Sequence, residues 1–274
     1  MSKHLFSEWG RVSRRLRSGP VLWLFDFDGT LAPIVRKPEG ARLAPGVRKL
    51  LGALARRAGF RVGIVSGRSL REVRRKMALP GLILSGNHGL EISGLGAPFV
   101  HPQARAQAAA LRRLAGRLRR GLRRFPGVLV EWKGFSISVH FRLLASAQVA
   151  RFKRDFRGLI RSRDASFSFL VRPGKEVFDV LPATSWNKGS AVRRIKKNLK
   201  PRTTLYVGDD LTDKDAFHAL GPGGISVSVG KDDASGALYY LAGVSEIKGL
   251  LRRAVLLSAF AKTPLRRDVA RRAP

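Results

Sequence analysis

Along much of the chain, short unbroken apolar runs alternate with stretches whose apolar positions recur every three or four residues. Residues 21–27 (VLWLFDF) form one such run and meet Asp28-Gly29-Thr30. Phe60–Val65 forms another and meets Ser66-Gly67-Arg68, and residues 82–84 form a third, meeting Ser85-Gly86-Asn87-His88-Gly89. Late in the chain residues 204–207 meet Gly208-Asp209-Asp210, and residues 224–229 add a fifth run. Runs this short and this apolar predict strands buried on both faces of a parallel sheet. Val47, Leu50, Leu51, Leu54 and Ala55 have the spacing of a helix between the first two. Strands alternating with helices predict an α/β fold, a doubly wound and mostly parallel sheet with right-handed crossovers. Ligands of such sheets lie beyond the carboxyl ends of the strands, where every polar cluster just named falls.

Residues 101–182 follow a different rhythm. A Leu- and Arg-rich helix over 103–124 is followed by alternating runs at 128–133 and 135–142, a helix over 147–162, and runs at 167–172 and 175–181. The order αββαββ predicts an inserted α+β domain at 101–182, with residues 1–100 and 183–274 forming the core domain. Alternation places Phe135, Ile137, Val139 and Phe141 on one face and Ser136, Ser138, His140 and Arg142 on the other. The same count puts Glu131 with Lys133 and Lys175 with Asp179, so one face of this sheet is expected to be polar. Near the start, Leu5, Trp9, Val12 and Leu16 share a helical face, predicting an amphipathic helix packed on the core. The final LRRDVARRAP is expected to be a frayed basic tail.

Composition changes the picture in three ways. A hydrophobic content of 44% excludes wholesale disorder, and 274 residues suffice for a substantial core. No run approaches the roughly 20 apolar residues of a membrane span, and the opening residues lack the apolar stretch of a secretory signal, so the expectation is a soluble, cytoplasmic protein, taken as a monomer. The absence of cysteine excludes disulfides, thiolate metal sites and a Cys nucleophile, which leaves oxygen ligands as the metal chemistry.

Lys and Arg number 53 against 19 Asp and Glu, a net charge of +34. Such a surface attracts polyanions by counterion release, and weak non-specific nucleic-acid binding is one reading. The basic residues are spread along the whole chain and often stand beside Ala, so an ordinary solvated basic surface is the other.

Against that scarcity of acids, Asp209, Asp210, Asp213 and Asp215 fall within seven positions, and Asp26 and Asp28 flank one Phe. Carboxylates gathered at strand ends repel one another and imply a positive partner between them. A hard divalent ion fits, Mg²⁺ above all, which takes a few carboxylates, waters and a substrate phosphate. Neither loop has the pattern of an EF-hand, and His88 has no second His nearby to form a nitrogen site.

Asp26-Phe27-Asp28-Gly29-Thr30-Leu31-Ala32-Pro33-Ile34, Ser66-Gly67-Arg68, Lys188-Gly189 and Gly208-Asp209-Asp210-Leu211-Thr212-Asp213, in that order, resemble the four motifs of haloacid-dehalogenase-superfamily phosphatases. The first and last of these, with Gly86-Asn87-His88-Gly89-Leu90-Glu91, resemble the trehalose-6-phosphate phosphatases more narrowly. The resemblance implies a haloacid-dehalogenase-like core with a cap, and Mg²⁺-dependent hydrolysis of trehalose 6-phosphate through an aspartyl phosphate. It implies Asp26 as nucleophile, Asp28 as acid and base, Ser66 and Lys188 on the phosphate, and Asp26, Asp28, Asp209 and Asp213 around the metal. In that reading Asp28 offers the ion its backbone carbonyl, and Asp213 reaches it through water or orients Lys188. Arg68, Asn87 and His88 are implied on the substrate side. In the insert Glu131, Lys133, His140, Arg142, Lys175 and Asp179 match the cap pattern, although Asp179 stands where the family ordinarily carries Glu and Leu181 where a basic residue is usual. Sucrose 6-phosphate and mannosyl-3-phosphoglycerate are alternative substrates, and a non-catalytic polyanion binder on the same fold is the alternative of another class. That last class predicts a lost catalytic carboxylate, and none is missing.

Overall fold

Val21–Phe25, the first of the apolar runs, is a strand whose five residues are all buried. Trp23 and Phe25 pack to one side of it, Leu22 and Leu24 to the other. The structure is a computed structural model that describes residues 2–161, 168–231 and 235–257. The expected basic tail lies outside the described residues, as do the last position of the 147–162 helix and Phe167 of the following run.

In chain order the elements are β1 (Lys3–His4), α1 (Trp9–Leu16), β2 (Val21–Phe25), α2 (Val47–Ala55), β3 (Phe60–Val65), α3 (Leu70–Met77), β4 (Ile83–Gly86), β5 (Glu91–Ser93) and β6 (Phe99–Val100). Then come α4 (Pro102–Gly121), β7 (Leu129–Trp132), β8 (Ile137–His140), α5 (Ser146–Arg161), β9 (Phe169–Gly174) and β10 (Val177–Pro182). The chain continues with α6 (Lys188–Leu199), β11 (Thr203–Gly208), α7 (Asp213–Leu220), β12 (Ile225–Val229), β13 (Tyr239–Leu241) and α8 (Ile247–Leu256). It divides into two compact units, one made of the residues up to Phe99 together with those from Trp186 onward, the other of Val100–Ser185.

The first unit is built on a sheet of order β1-β13-β12-β11-β2-β3-β4-β5-β6, parallel from β1 to β4, with β5 antiparallel to β4. Residues from α1, α2, α3 and α8 cover one face, around Trp23, Phe25 and Ile64. Residues from α6 and α7 cover the other, around Leu22, Leu24 and Tyr206. This is the doubly wound, mostly parallel α/β sheet that the run pattern predicts. Two helices start on side-chain caps. The Ser69 hydroxyl accepts from the Glu72 N–H at 3.2 Å to open α3, and the Asn187 side chain accepts from the Ser190 N–H at 2.9 Å to open α6. The chain order switches at β2, which lies between β3 and β11, and at such a switch the strand ends leave a crevice.

The edges were less legible. Leu5 is not in the first helix: its N–H bonds to Tyr240 O at 2.9 Å, continuing the pairing of β1 with β13, and it is buried from there. Two-residue strands carry no periodicity for a sequence to display.

The second unit is an antiparallel sheet of order β7-β8-β10-β9. Val130, Ile137, Val139 and Val180 pack against Leu111, Leu114 and Leu118 of α4 and Phe152 and Phe156 of α5, so the helices lie on one face. Two expected strand positions are corrected. Lys175 and Glu176 form the turn between β9 and β10, Glu176 with φ of 61°, so Lys175 does not share a strand face with Asp179. Arg142 lies past the end of β8, and its Nε donates to Glu176 Oε2 at 2.8 Å and its Nη2 to Lys175 O at 3.1 Å. A two-residue reversal after Gly174 breaks the count of two on which the expectation rested. Among the described residues no helix is long and apolar enough to cross a membrane.

Candidate active site

Asp26 directly follows β2 and donates its N–H to Val207 O at 2.9 Å, which locks the end of β2 to β11. Its buried carboxylate Oδ1 lies 3.0 Å from Lys188 Nζ. Lys188, the first residue of α6, also donates to Asp213 Oδ1 at 2.8 Å. Asp213, fully buried at the start of α7, accepts a second bond on Oδ1 from the Tyr206 hydroxyl at 2.7 Å. Its Oδ2 accepts from the N–H groups of Asp209 and Asp210, each at 3.1 Å. Four donors thus occupy Asp213, whose work is to hold Lys188 and the loop after β11.

Burial raises the Asp26 carboxyl well above the usual carboxylate range; Lys188 opposes this, while Asp213, Asp209 and Asp28 add to it. Burial works against the Lys188 ammonium too, yet the carboxylates of Asp213 and Asp26 outweigh it and lift this group above the ordinary lysine value. Tyr206 is likewise raised, by burial first and then by Asp213, so it stands as a proton donor.

One carboxylate oxygen from each of Asp26, Asp209 and Asp213 lies within 4.8 Å of the others, a group able to hold a metal ion. The donor set is oxygen only, which suits a hard cation. Gly29, with φ of 78°, makes room for it: a Cβ there would stand 2.0 Å from Asp209 Oδ2. The residues therefore fit an ion between the β2 and β11 loops.

Asp28 and Arg68 face each other. Arg68 Nε and Nη2 donate to the two oxygens of Asp28 at 2.7 and 2.8 Å, a bidentate fork, and Nη2 also donates to Pro38 O at 2.8 Å. Nη1 is bonded to Glu72, and the residue is buried. Arg68, expected beside substrate, is thus engaged inside the protein, where it ties the β2 loop to the start of α3. Ser66 directly follows β3 and is buried; its hydroxyl accepts from the Arg68 N–H at 3.2 Å. Ile64 pairs with Phe25, so Ser66 follows β3 next to the strand end that Asp26 follows in β2.

Asn87 and His88 are buried and both left-handed, with φ of 48° and 57°. Non-glycine residues in that conformation carry strain that surrounding contacts must hold. Here the Asn87 N–H bonds to Arg68 O at 2.7 Å, the His88 N–H to Ser66 O at 3.0 Å, and the Asn87 side chain to Glu91. The His88 ring lies against Gly67, where a Cβ would stand 2.7 Å from Cε1. This turn buttresses the Ser66 loop.

The family model described as trehalose-phosphatase matches residues 24–245. The chain belongs to the trehalose-phosphatase family. It is 37% identical over 230 residues to a trehalose-phosphate phosphatase of Mycobacterium tuberculosis, a match covering 79% of this chain and 56% of the relative. A trehalose-phosphate phosphatase of Mycobacterium marinum is 37% identical over 243 residues, with 83% and 60% covered. The chain spans a little over half the length of these curated relatives. In fold it is similar to the C-terminal domain of the Candida albicans trehalose-6-phosphate phosphatase, with a TM-score of 0.79, 22% identity, and 93% and 98% of the two chains covered. A trehalose-6-phosphate phosphatase related protein gives a TM-score of 0.75 at 25% identity, covering 86% and 97%. The doubly wound core with an inserted α+β unit is the haloacid-dehalogenase architecture of these trehalose-phosphatase structures.

The second unit gathers a polar group of its own. Register sets Glu131 and Asp179 on either side of Ser138, whose hydroxyl donates to Asp179. Lys133 Nζ lies 3.9 Å from Asp179 Oδ1, and His140 Nε2 lies 3.2 Å from Glu131 Oε2. Glu131, Lys133, His140 and Asp179 therefore share a face, from which Lys175 and Arg142 are set apart at the hairpin turn.

Three contributors escaped the sequence reading. Tyr206 was legible only as the one hydroxylated ring in an otherwise aliphatic stretch two residues before Gly208. Glu72, which holds Arg68, stands four residues after it at ordinary helical spacing. Glu91 binds the Asn87 side chain and the Leu70 N–H, and burial raises its carboxyl despite both bonds.

Proposed function

We propose that this chain hydrolyses trehalose 6-phosphate to trehalose and inorganic phosphate, with Mg²⁺ as cofactor and a phosphorylated Asp26 as intermediate. The observation that carries the chemistry is the buried Asp26 carboxylate held 3.0 Å from Lys188 at the carboxyl end of β2. The substrate rests on the family and on the relatives' names.

In the first half an Asp26 oxygen bonds to phosphorus, the bond from phosphorus to the sugar 6-oxygen breaks, and that oxygen takes a proton from Asp28. In the second half a water oxygen bonds to phosphorus, its proton passes to Asp28, and Asp26 leaves as a carboxylate with phosphate released. The fork from Arg68 suits Asp28 as a carboxylate, the form needed for the second half; carrying a proton for the first requires turning out of that fork. Lys188 and Ser66 would hold phosphoryl oxygens. Asp26, Asp209 and the Asp28 carbonyl would hold Mg²⁺, with Asp213 acting through Lys188. When bound, the ion offsets the repulsion between an anionic nucleophile and an anionic ester.

Residues 101–182 serve in this reading as the specificity domain, with Glu131, Lys133, His140 and Asp179 offering mixed donors and acceptors to sugar hydroxyls. The test is phosphate release from trehalose 6-phosphate, sucrose 6-phosphate, mannosyl-3-phosphoglycerate and p-nitrophenyl phosphate, with and without Mg²⁺. Mg²⁺-dependent preference for trehalose 6-phosphate is expected, and inactivity on all four would overturn the reading. Glu131→Ala and Lys133→Ala should each lower kcat/KM for trehalose 6-phosphate about tenfold or more, as lost hydrogen bonds to a charged group do, and barely alter p-nitrophenyl phosphate. Equal losses on both esters would remove the sugar role.

A further inference from the structure

We propose that Trp186 is a positioning residue for phosphoryl transfer: acting through the Asn87–Gly89 turn, its indole N–H fixes the spacing between Ser66 and Lys188. The inference rests on the reaction proposed above, in which those two side chains hold phosphoryl oxygens.

Ser66 directly follows β3 and Lys188 opens α6, so the two groups come from elements far apart in the chain. A strand and a helix share no hydrogen-bond ladder, and contacts must set their spacing. The Asn87–Gly89 turn touches both sides. Toward β3 it donates the Asn87 N–H to Arg68 O at 2.7 Å and the His88 N–H to Ser66 O at 3.0 Å, gripping both ends of the Ser66-Gly67-Arg68 loop. The His88 ring fills the space between them, since a Cβ on Gly67 would stand 2.9 Å from its Nε2. Toward α6 a Cβ on Gly89 would stand 2.9 Å from both Asn187 O and Ala191 Cβ. Asn187 caps α6 and immediately precedes Lys188.

Trp186 pins the turn to that helix start, its Nε1 donating to Gly89 O at 2.7 Å. The indole is itself braced. The Phe99 ring lies 5.3 Å from it between centroids, tilted by 36°, and Arg194 of α6 sits over the Phe99 ring at 3.8 Å. A donor on a braced ring keeps one direction. Consecutive left-handed, non-glycine residues at 87 and 88 point the same way, because such backbone persists only where its surroundings over-determine it. A turn that only reversed the chain could take glycine at both places.

Donors aimed at phosphoryl oxygens act where charge develops, so their separation matters more than their mere presence. A shift of about 1 Å can cost as much as about a hundredfold in rate. Trp186→Phe keeps a ring beside Phe99 and removes the N–H. With Mg²⁺, kcat/KM should fall by about tenfold or more, equally for trehalose 6-phosphate and p-nitrophenyl phosphate, because both present the same phosphoryl group. Isothermal titration with orthovanadate should show Kd raised by about tenfold or more, the size of a weakened hydrogen bond to a charged group. An affinity, unlike a rate, does not change when part of a sample is unfolded. An unchanged Kd with fewer sites titrated would therefore overturn the proposal and leave Trp186 a folding role. A loss confined to trehalose 6-phosphate would overturn it in favour of a sugar contact.

Arg194→Ala keeps the indole N–H and removes only the exposed brace, which keeps the proposal falsifiable if Trp186→Phe fails to fold. Its orthovanadate Kd should rise about two- to fivefold, the size of an exposed cation–π contact. Lys197→Ala takes the same charge from an exposed position on α6 and should change Kd less than about twofold. Equal effects of these two variants would overturn the proposal. A parent chain inactive on both esters would overturn the phosphatase reading and this inference with it, whereas an active parent with an unaltered Trp186→Phe variant would overturn this inference alone.

Discussion

Asp26 is placed where its own charge is unwelcome. Its raised pKa means that the folded protein binds this proton more tightly than the unfolded chain does. The cost of ionisation is absent below the unfolded value near 3.9, grows as pH rises, and is complete above the raised native value. At neutral pH and without metal, Asp26→Asn should therefore raise Tm while abolishing turnover. Added Mg²⁺ should stabilise the parent chain and narrow the gap; a lower Tm for the variant in chelator would contradict this. Lys188 has the opposite sign. Its raised value makes its contribution complete below the ordinary lysine pKa and lost only as pH climbs through the native one, so it does not vary around neutrality. The charged residues of this centre were readable because each stands at a strand end or helix start, in a chain poor in acids. Tyr206 and Glu72 were not, because a buried tyrosine and a helical glutamate look like packing and surface until their partners are seen. The engagement of Arg68 with Asp28 and Glu72 was not readable either, because nothing in a sequence tells which way a guanidinium turns.

Between elements, close approach decides what can be built. Gly189, second in α6, would carry a Cβ 2.3 Å from Asp215 O of α7. That contact sets the distance from Lys188 to Asp213. Gly189→Ala should push α6 from α7, lowering stability by about 1–3 kcal/mol as overpacking does, and should cut kcat more than it raises KM. Thermal melts and steady-state kinetics with p-nitrophenyl phosphate would check it, and an unchanged kcat would mean that Lys188 tolerates the shift. The long strands and helices were legible because buried runs and helical stripes persist over several residues. The ends were not. Lys175 and Arg142 were assigned by counting in twos through a hairpin, and the count fails where Glu176 turns left-handed. β1 and β13 exist by pairing with each other at an edge, a tertiary fact with no local pattern.

For the whole molecule, a net charge of +34 means that folding gathers like charges. Salt shortens the range of that repulsion from about 30 Å at 0.01 M to about 10 Å at 0.1 M. Tm should accordingly rise with NaCl over that interval, and a calorimetric series showing it fall would mean that the ion pairs outweigh the repulsion. The order of the central sheet bears on how the protein is made. β2 lies between β3 and β11, and β11 follows the entire second unit in the chain. During synthesis, five wholly apolar residues therefore leave the ribosome with one neighbour available and one edge open, and they wait until Thr203–Gly208 emerges. The intervening unit, whose sheet and core among the described residues are made of its own residues, is able to condense first. The nascent chain thus passes through a stage with a finished insert and a half-built, adhesive sheet, which is where a chaperone would be needed most. Asp26 is among the first of the catalytic groups to be translated and meets Lys188, Asp209 and Asp213 only when that stage ends.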